Sequence, residues 1–133
     1  MGETDWEALK LAAMDARSHA YAPYSGFAVG AALQTKDGRV FQGCNVENAS
    51  YGAAMCAERG ALAAAVAAGE RDFVALAIAT GAERPTPPCG ICRQCLSELG
   101  PDLRIRSYTN NGAFADYELS ELLPDAFDRS QVE

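Results

Sequence analysis

Positive charge is scarce in this sequence. Lys and Arg number 11 against 18 Asp and Glu, which leaves a net charge of −7 at pH 7. A protein that grips nucleic acid needs a basic patch to release counterions from phosphates. A polynucleotide is therefore excluded as a partner, and so is an anionic membrane surface. Long apolar runs are lacking too. Residues 61–68 and 73–79 are the longest, far short of the roughly 20 residues that cross a bilayer. The opening Met1-Gly2-Glu3-Thr4-Asp5-Trp6-Glu7 is acidic and polar, without the basic-then-apolar order of a secretory signal. The same acidity makes Met1-Gly2 a poor acylation motif. These absences point to the cytoplasm. Repeats, linkers and low-complexity stretches are also missing. Histidine occurs once, and His19 reads as a solvated residue at a helix end rather than a ligand. The five cysteines are odd in number, and three of them crowd positions 89, 92 and 95. That pattern excludes a disulfide framework and fits reduced thiols or a metal site.

What is present is an ordinary globular composition. The chain has 133 residues, 49% hydrophobic and 22% charged. It reads as one domain over 1–133, long enough to bury a core without staples. Thr4 and Glu7 have capping-box spacing, and Trp6, Leu9, Ala13 and Ala16 then recur at helical period through about His19. Residues 27–35 and 39–44 read as strands joined by the turn Lys36-Asp37-Gly38. A polar loop covers 45–55, and an Ala-rich helix covers 56–68 up to Gly69. A buried strand follows at 73–80, then a proline-rich loop at 81–88 and a helix at 90–99. Strands at 103–108 and 113–119 flank Asn110-Asn111-Gly112, and a tail contains Leu122, Leu123, Pro124 and Phe127. The order α-β-β-α-β-α-β-β places the chain in the α/β class, a sheet with helices on its faces.

Two segments carry chemistry: Cys56-Ala57-Glu58-Arg59 and Pro87-Pro88-Cys89-Gly90-Ile91-Cys92-Arg93-Gln94. Each cysteine group starts a predicted helix. The partial positive charge there lowers thiol pKa and favours thiolates. Three thiolates make a zinc site with its fourth tetrahedral position open, the catalytic rather than the structural pattern. Three thiolates on a divalent ion leave one net negative charge. Arg59 and the two helix dipoles offset it, with Arg59 donating to ligand sulfur. Glu58 is then a proton shuttle and not a fourth ligand. This set is the arrangement described for zinc deaminases, including their three-cysteine variant.

The sequence resembles the small, homotetrameric cytidine deaminases over nearly its whole length. The resemblance runs through Tyr21-Ala22-Pro23-Tyr24-Ser25, residues 27–33, Asn45-Val46-Glu47-Asn48-Ala49-Ser50-Tyr51-Gly52, both cysteine segments, and Glu121-Leu122-Leu123-Pro124. It implies a three-layer αβα fold with a mixed five-stranded sheet. It also implies one zinc ion per subunit on Cys56, Cys89 and Cys92, and a free nucleoside as substrate. Glu58 becomes the acid–base residue at the pyrimidine N3 and amine. Asn45 and Glu47 take the ribose, with Glu47 on the 3′-hydroxyl. Phe27 packs on the base, and the Ala57 backbone reads its edge. Phe127 and Tyr51 approach a neighbouring subunit's site, so the sites lie at subunit interfaces. Cys95 departs from the family pattern, where an aliphatic residue is expected.

Each feature also has a plainer reading. Cys89 and Cys92 alone fit a structural zinc or redox pair equally well. Cys95 extends them toward an iron–sulfur run, but Leu99 stands where the next cysteine belongs. Cys95 and Cys44 read as small buried apolar residues. Asn45 and Glu47 are ordinary loop-capping types, and Phe27 and Phe127 are ordinary core types.

Overall fold

A computed structural model describes residues 4–133. Residues 1–3, which carry the Met1-Gly2 reading, lie outside the described residues. Helix α1 (Trp6–Arg17) is capped by Asp5, whose carboxylate accepts from the Ala8 amide at 3.1 Å. The Thr4–Glu7 capping box is therefore not the start of this helix. Asp5 brings a full negative charge to the positive helix end, which a threonine hydroxyl lacks. Leu9, Ala13 and Ala16 are its buried residues.

Strands β1 (Val29–Thr35) and β2 (Val40–Cys44) form the expected antiparallel hairpin, with Gly38 at φ +94° in the turn. Helix α2 (Ala57–Ala67), strand β3 (Phe73–Thr80), helix α3 (Gly90–Leu99) and strands β4 (Arg104–Tyr108) and β5 (Phe114–Glu118) follow. The sheet order is β2-β1-β3-β4-β5. Only β3 and β4 are parallel, joined through α3, so the five-stranded sheet is mixed.

Strand periodicity divides the core. Leu33, Leu76, Ile78 and Ile105 point to the face that holds Ala57, Ala61 and Ala65 of α2 and Leu96 of α3. Ala32, Ala75, Ala77 and Ala79 point to the opposite face, against Leu9 and Ala13 of α1. The result is three layers: α1, the sheet, and the α2–α3 pair. Alanines on one face and large aliphatics on the other seat the two helix layers.

Differences from the predicted bounds have local causes. The first strand starts at Val29 rather than Phe27, because side chains bind the backbone groups of Phe27 and Ala28. Helix α1 stops at Arg17 as a tightened turn forms, with the His19 amide on the Ala16 carbonyl at 3.0 Å. Helix α4 (Leu119–Leu122) and the 3₁₀ turns Tyr51–Ala53 and Arg129–Gln131 are too short to impose a period on the sequence.

Two glycines let helices touch the sheet backbone. A Cβ on Gly30 would strike the Ala13 carbonyl and the Arg17 amide, and would lie 2.8 Å from Arg17 Cα. A Cβ on Gly43 would strike the Ala57 carbonyl and the Ala61 amide, and would lie 2.9 Å from the Gly60 carbonyl carbon. Gly60, inside α2, has only ordinary contacts, the nearest 3.6 Å away at the Cys44 carbonyl. Gly43→Ala is expected to lower stability by about 1–3 kcal/mol through overpacking against backbone. Gly60→Ala should raise it by about 0.5–1 kcal/mol, because alanine is the better helix former. Chemical denaturation checks both. Equal effects of the same sign would contradict the close α2–β2 approach.

Candidate active site

Cys56 is the N-cap residue of α2, Cys89 is the N-cap residue of α3, and Cys92 lies in the first turn of α3. Neither cap uses its side chain on its own helix, which leaves both thiols free to point elsewhere. They converge with Cys92. The three sulfurs lie within 4.8 Å of one another, and Cys56 Sγ is 4.0 Å from Cys89 Sγ. A tetrahedral ion with Zn–S bonds of about 2.3 Å places its sulfurs about 3.8 Å apart. The thiol set therefore fits zinc in both donor type and spacing.

Cys56 and Cys92 are shifted in opposite directions. A hydrogen bond from the Cys92 thiol holds Cys56 down to about 5, with Arg59 helping against the opposing effect of burial. That same bond and burial push the Cys92 thiol up. Arg59 Nη2 donates to Cys56 Sγ at 3.6 Å. Arg59 Nε is buried without a hydrogen-bond partner. An unpaired buried donor costs about 1–3 kcal/mol, so this guanidinium is held by the sulfur charge rather than by full hydrogen bonding.

Glu58 follows Cys56 by two positions and is buried in the first turn of α2. Burial pushes its carboxyl up to about 7, and the Cys56 charge acts in the same direction. A cavity of about 270 Å³ joins Cys56, Ala57, Glu58 and Cys89 to Phe27, Asn45 and Glu47. The Asn45 amide oxygen accepts from the Val29 amide at 2.8 Å, and its Nδ2 donates to the Phe27 carbonyl at 2.8 Å. Glu47 Oε1 accepts from the Tyr24 and Ser25 amides at 2.9 and 3.1 Å, and Oε2 accepts from the Ser25 hydroxyl. The Ser25 hydroxyl bond is the main reason the Glu47 carboxyl sits below its usual range. Both side chains thus cap loops, as their plainer reading had it, and both also border the cavity.

Two sequence candidates stay outside. Tyr51 is 78% exposed and borders a separate cavity of about 310 Å³ that shares only Ser25 and Glu47 with the first. Phe127 is 61% exposed in the tail, where its carbonyl accepts from Gln94 Nε2 at 2.8 Å. Cys44 and Cys95 are half-buried and do not belong to the thiol cluster. Sequence reasoning gave no role to Ser25, Val29, Ile78, Thr86 and Pro87, which also line the cavity. Ser25 and Thr86 carry a usable hint, since each stands in a turn-forming stretch, Ser25 two residues before Phe27 and Thr86 three before Cys89. The Thr86 amide donates to Ser107 Oγ at 3.1 Å, and Arg93 binds the Pro88 and Leu122 carbonyls at 2.8 and 3.1 Å. These bonds tie the loop before Cys89 to β4 and α4.

Known proteins match this arrangement. The family model for the cytidine and deoxycytidylate deaminase zinc-binding region matches residues 3–106. The chain belongs to this deaminase family. A cytidine deaminase of Halalkalibacterium halodurans is 50% identical over 124 residues, 92% of this chain and 94% of that protein. A cytidine deaminase of Sporosarcina psychrophila is 42% identical over 129 residues, 96% of this chain and 95% of that protein. The crystal structure of a cytidine deaminase from Burkholderia pseudomallei has 52% sequence identity and a TM-score of 0.89, covering 94% of this chain and all of that one. In this deaminase, then, the zinc-binding region includes the Cys56, Cys89 and Cys92 cluster that could hold the ion. Cys56→Ala, Cys89→Ala and Cys92→Ala should each abolish stoichiometric zinc, while Cys95→Ala and Cys44→Ala keep one zinc per chain. Metal analysis of the purified variants checks this. Zinc loss from Cys95→Ala would reassign the ligands.

Proposed function

We propose that this chain is a zinc-dependent cytidine deaminase, a hydrolase that converts free cytidine and deoxycytidine to uridine and deoxyuridine with release of ammonia. The observation that carries the reading is Glu58, a buried carboxyl beside three convergent cysteine sulfurs, two of which, Cys56 and Cys89, border the same cavity as Glu58. The match to the deaminase zinc-binding region supports it. Cys56, Cys89 and Cys92 would hold the ion. When bound, zinc supplies Lewis-acid activation of water for attack on C4 of the pyrimidine. Glu58 takes one proton from the attacking water and gives it to N3, then takes the second proton from the same oxygen and passes it to the amine, so that the C4–N bond breaks, ammonia departs and the C4 carbonyl forms. Arg59 balances the sulfur charge.

Substrate contacts follow from what borders the cavity. Phe27 offers a flat apolar surface to the base. The Ala57 backbone reads the base edge. Asn45 and Glu47 meet the ribose, Glu47 at the 3′-hydroxyl. Their loop bonds leave capacity for this, because Glu47 Oε2 accepts only once and Asn45 Nδ2 has a second hydrogen. Tyr51 and Phe127 serve a neighbouring subunit's site in a homotetramer. Their exposure, outside the cavity of their own chain, supports that assignment. Residues 1–133 act as one catalytic domain in cytoplasmic pyrimidine salvage. Among the described residues no helix is long and apolar enough to cross a membrane.

Glu58→Gln should keep one zinc per chain and lower kcat for cytidine by a factor of about 10²–10⁴, the usual contribution of a positioned acid–base group. Ammonia release and metal content, measured on one preparation, check it. Undiminished turnover would remove Glu58 from the mechanism. Comparing cytidine, deoxycytidine and a modified cytosine nucleoside sets the substrate class.

A further inference from the structure

We propose that Arg17, at the end of α1, is a positioning residue for substrate binding that holds Phe27 in place through the Ala28 carbonyl. The proposal rests on the reading of Phe27 as the surface for the base.

Phe27 is 40% exposed, so core packing does not immobilise its ring. It also precedes β1, so ladder bonds do not hold its backbone. What holds segment 27–29 is a set of individual ties. The Phe27 amide donates to Ser25 Oγ at 3.0 Å. The Phe27 carbonyl and the Val29 amide are taken by the Asn45 side chain, and the Val29 carbonyl accepts from the Asn45 amide at 3.1 Å. All of these come from the loops around the cavity. The Ala28 carbonyl instead accepts from Arg17 Nε at 3.0 Å, across from the first helix. A carbonyl shielded from water that loses its donor costs free energy unless it turns to another. Here that turn would swing the adjacent Phe27 peptide.

The guanidinium lies against Gly81. A Cβ added to Gly81 would lie 2.5 Å from Arg17 Nη2 and 3.5 Å from Arg17 Cζ, with no other atom within 4 Å. Arg17 therefore fills the space that glycine leaves at the exit of β3. Its backbone is constrained, since Gly30 lies against the Arg17 amide and Cα. Arg17 thus bridges the start of β1 to the end of β3, the two strands whose continuations border the cavity.

The base meets Phe27 in the ground state and the transition state alike. Loss of that surface is loss of uniform binding, which raises KM and spares kcat. Arg17→Ala is expected to raise KM for cytidine about 5- to 20-fold, with kcat within about twofold and zinc content unchanged. Gly81→Ala displaces only the far end of a flexible side chain, so it folds and perturbs the same tie. It should raise KM in the same direction, and it should add nothing in the Arg17→Ala background. Gln42→Ala is the comparator: Gln42 Nε2 ties the Ala12 carbonyl of α1 to β2 at 2.8 Å, away from the cavity. It should lower Tm and leave KM unchanged. If Arg17→Ala also lowers Tm without moving KM, or if Gly81→Ala raises KM equally with and without Arg17, the positioning role is overturned. Phe27→Ala separates the two levels. A raised KM there with an inert Arg17→Ala defeats this inference alone, whereas an inert Phe27→Ala defeats the reading beneath it as well.

Discussion

The convergence of three cysteine sulfurs on one point is the constraint around which the rest of this molecule is arranged. Held together as thiolates they would repel, most of all at the buried Cys92. The fold meets the problem with positive ends. Cys56 and Cys89 each stand at the start of a helix, where unpaired amides carry partial positive charge. Arg59 adds a full charge within reach of Cys56. A divalent cation completes the balance, and the three-cysteine set leaves room for one more ligand. Burial of Glu58 beside the same sulfurs puts a carboxyl with its pKa pushed up to about 7 next to the cluster.

Those helix starts can meet only if the helices sit at fixed heights on the sheet. The glycines at 30 and 43 let α1 and α2 approach backbone to backbone, and a side chain at either position would lift its helix. The single parallel pair, β3 with β4, returns the chain through α3 beside α2 on one face. Topology therefore delivers Cys89 and Cys92 to Cys56, over a sequence separation of more than 30 residues. The loop before Cys89 is then tied to Ser107 and, through Arg93, to α4. The electrostatic centre and the packing of the sheet are one construction.

Much of this was legible in the residues. Strand 73–80 and helix 90–99 stand out because an apolar run and an amphipathic stretch are each bounded by Gly or Pro, and both have the expected bounds. The cysteine spacing, with Glu58 and Arg59 beside Cys56, names the chemistry because few other uses need that combination. Boundaries were less legible where side chains compete with backbone. Asp5 displaces Thr4 as the cap, and Asn45, Arg17 and Ser25 draw Phe27 and Ala28 out of the strand. Neither competition has a period to detect. Ser25 and Thr86 went unassigned because a cavity wall is a three-dimensional property. Tyr51 and Phe127 lie outside the cavity of their own chain.

The central claim is that one zinc ion on these three sulfurs enables water to replace the pyrimidine amine. Its most direct test is ammonia release from cytidine, followed while zinc is withdrawn by a chelator and then restored stepwise. Turnover should vanish with the metal and return in proportion, reaching full rate at one zinc per chain. Steady ammonia release from the metal-free protein would contradict it, and so would a fully zinc-loaded protein that releases none.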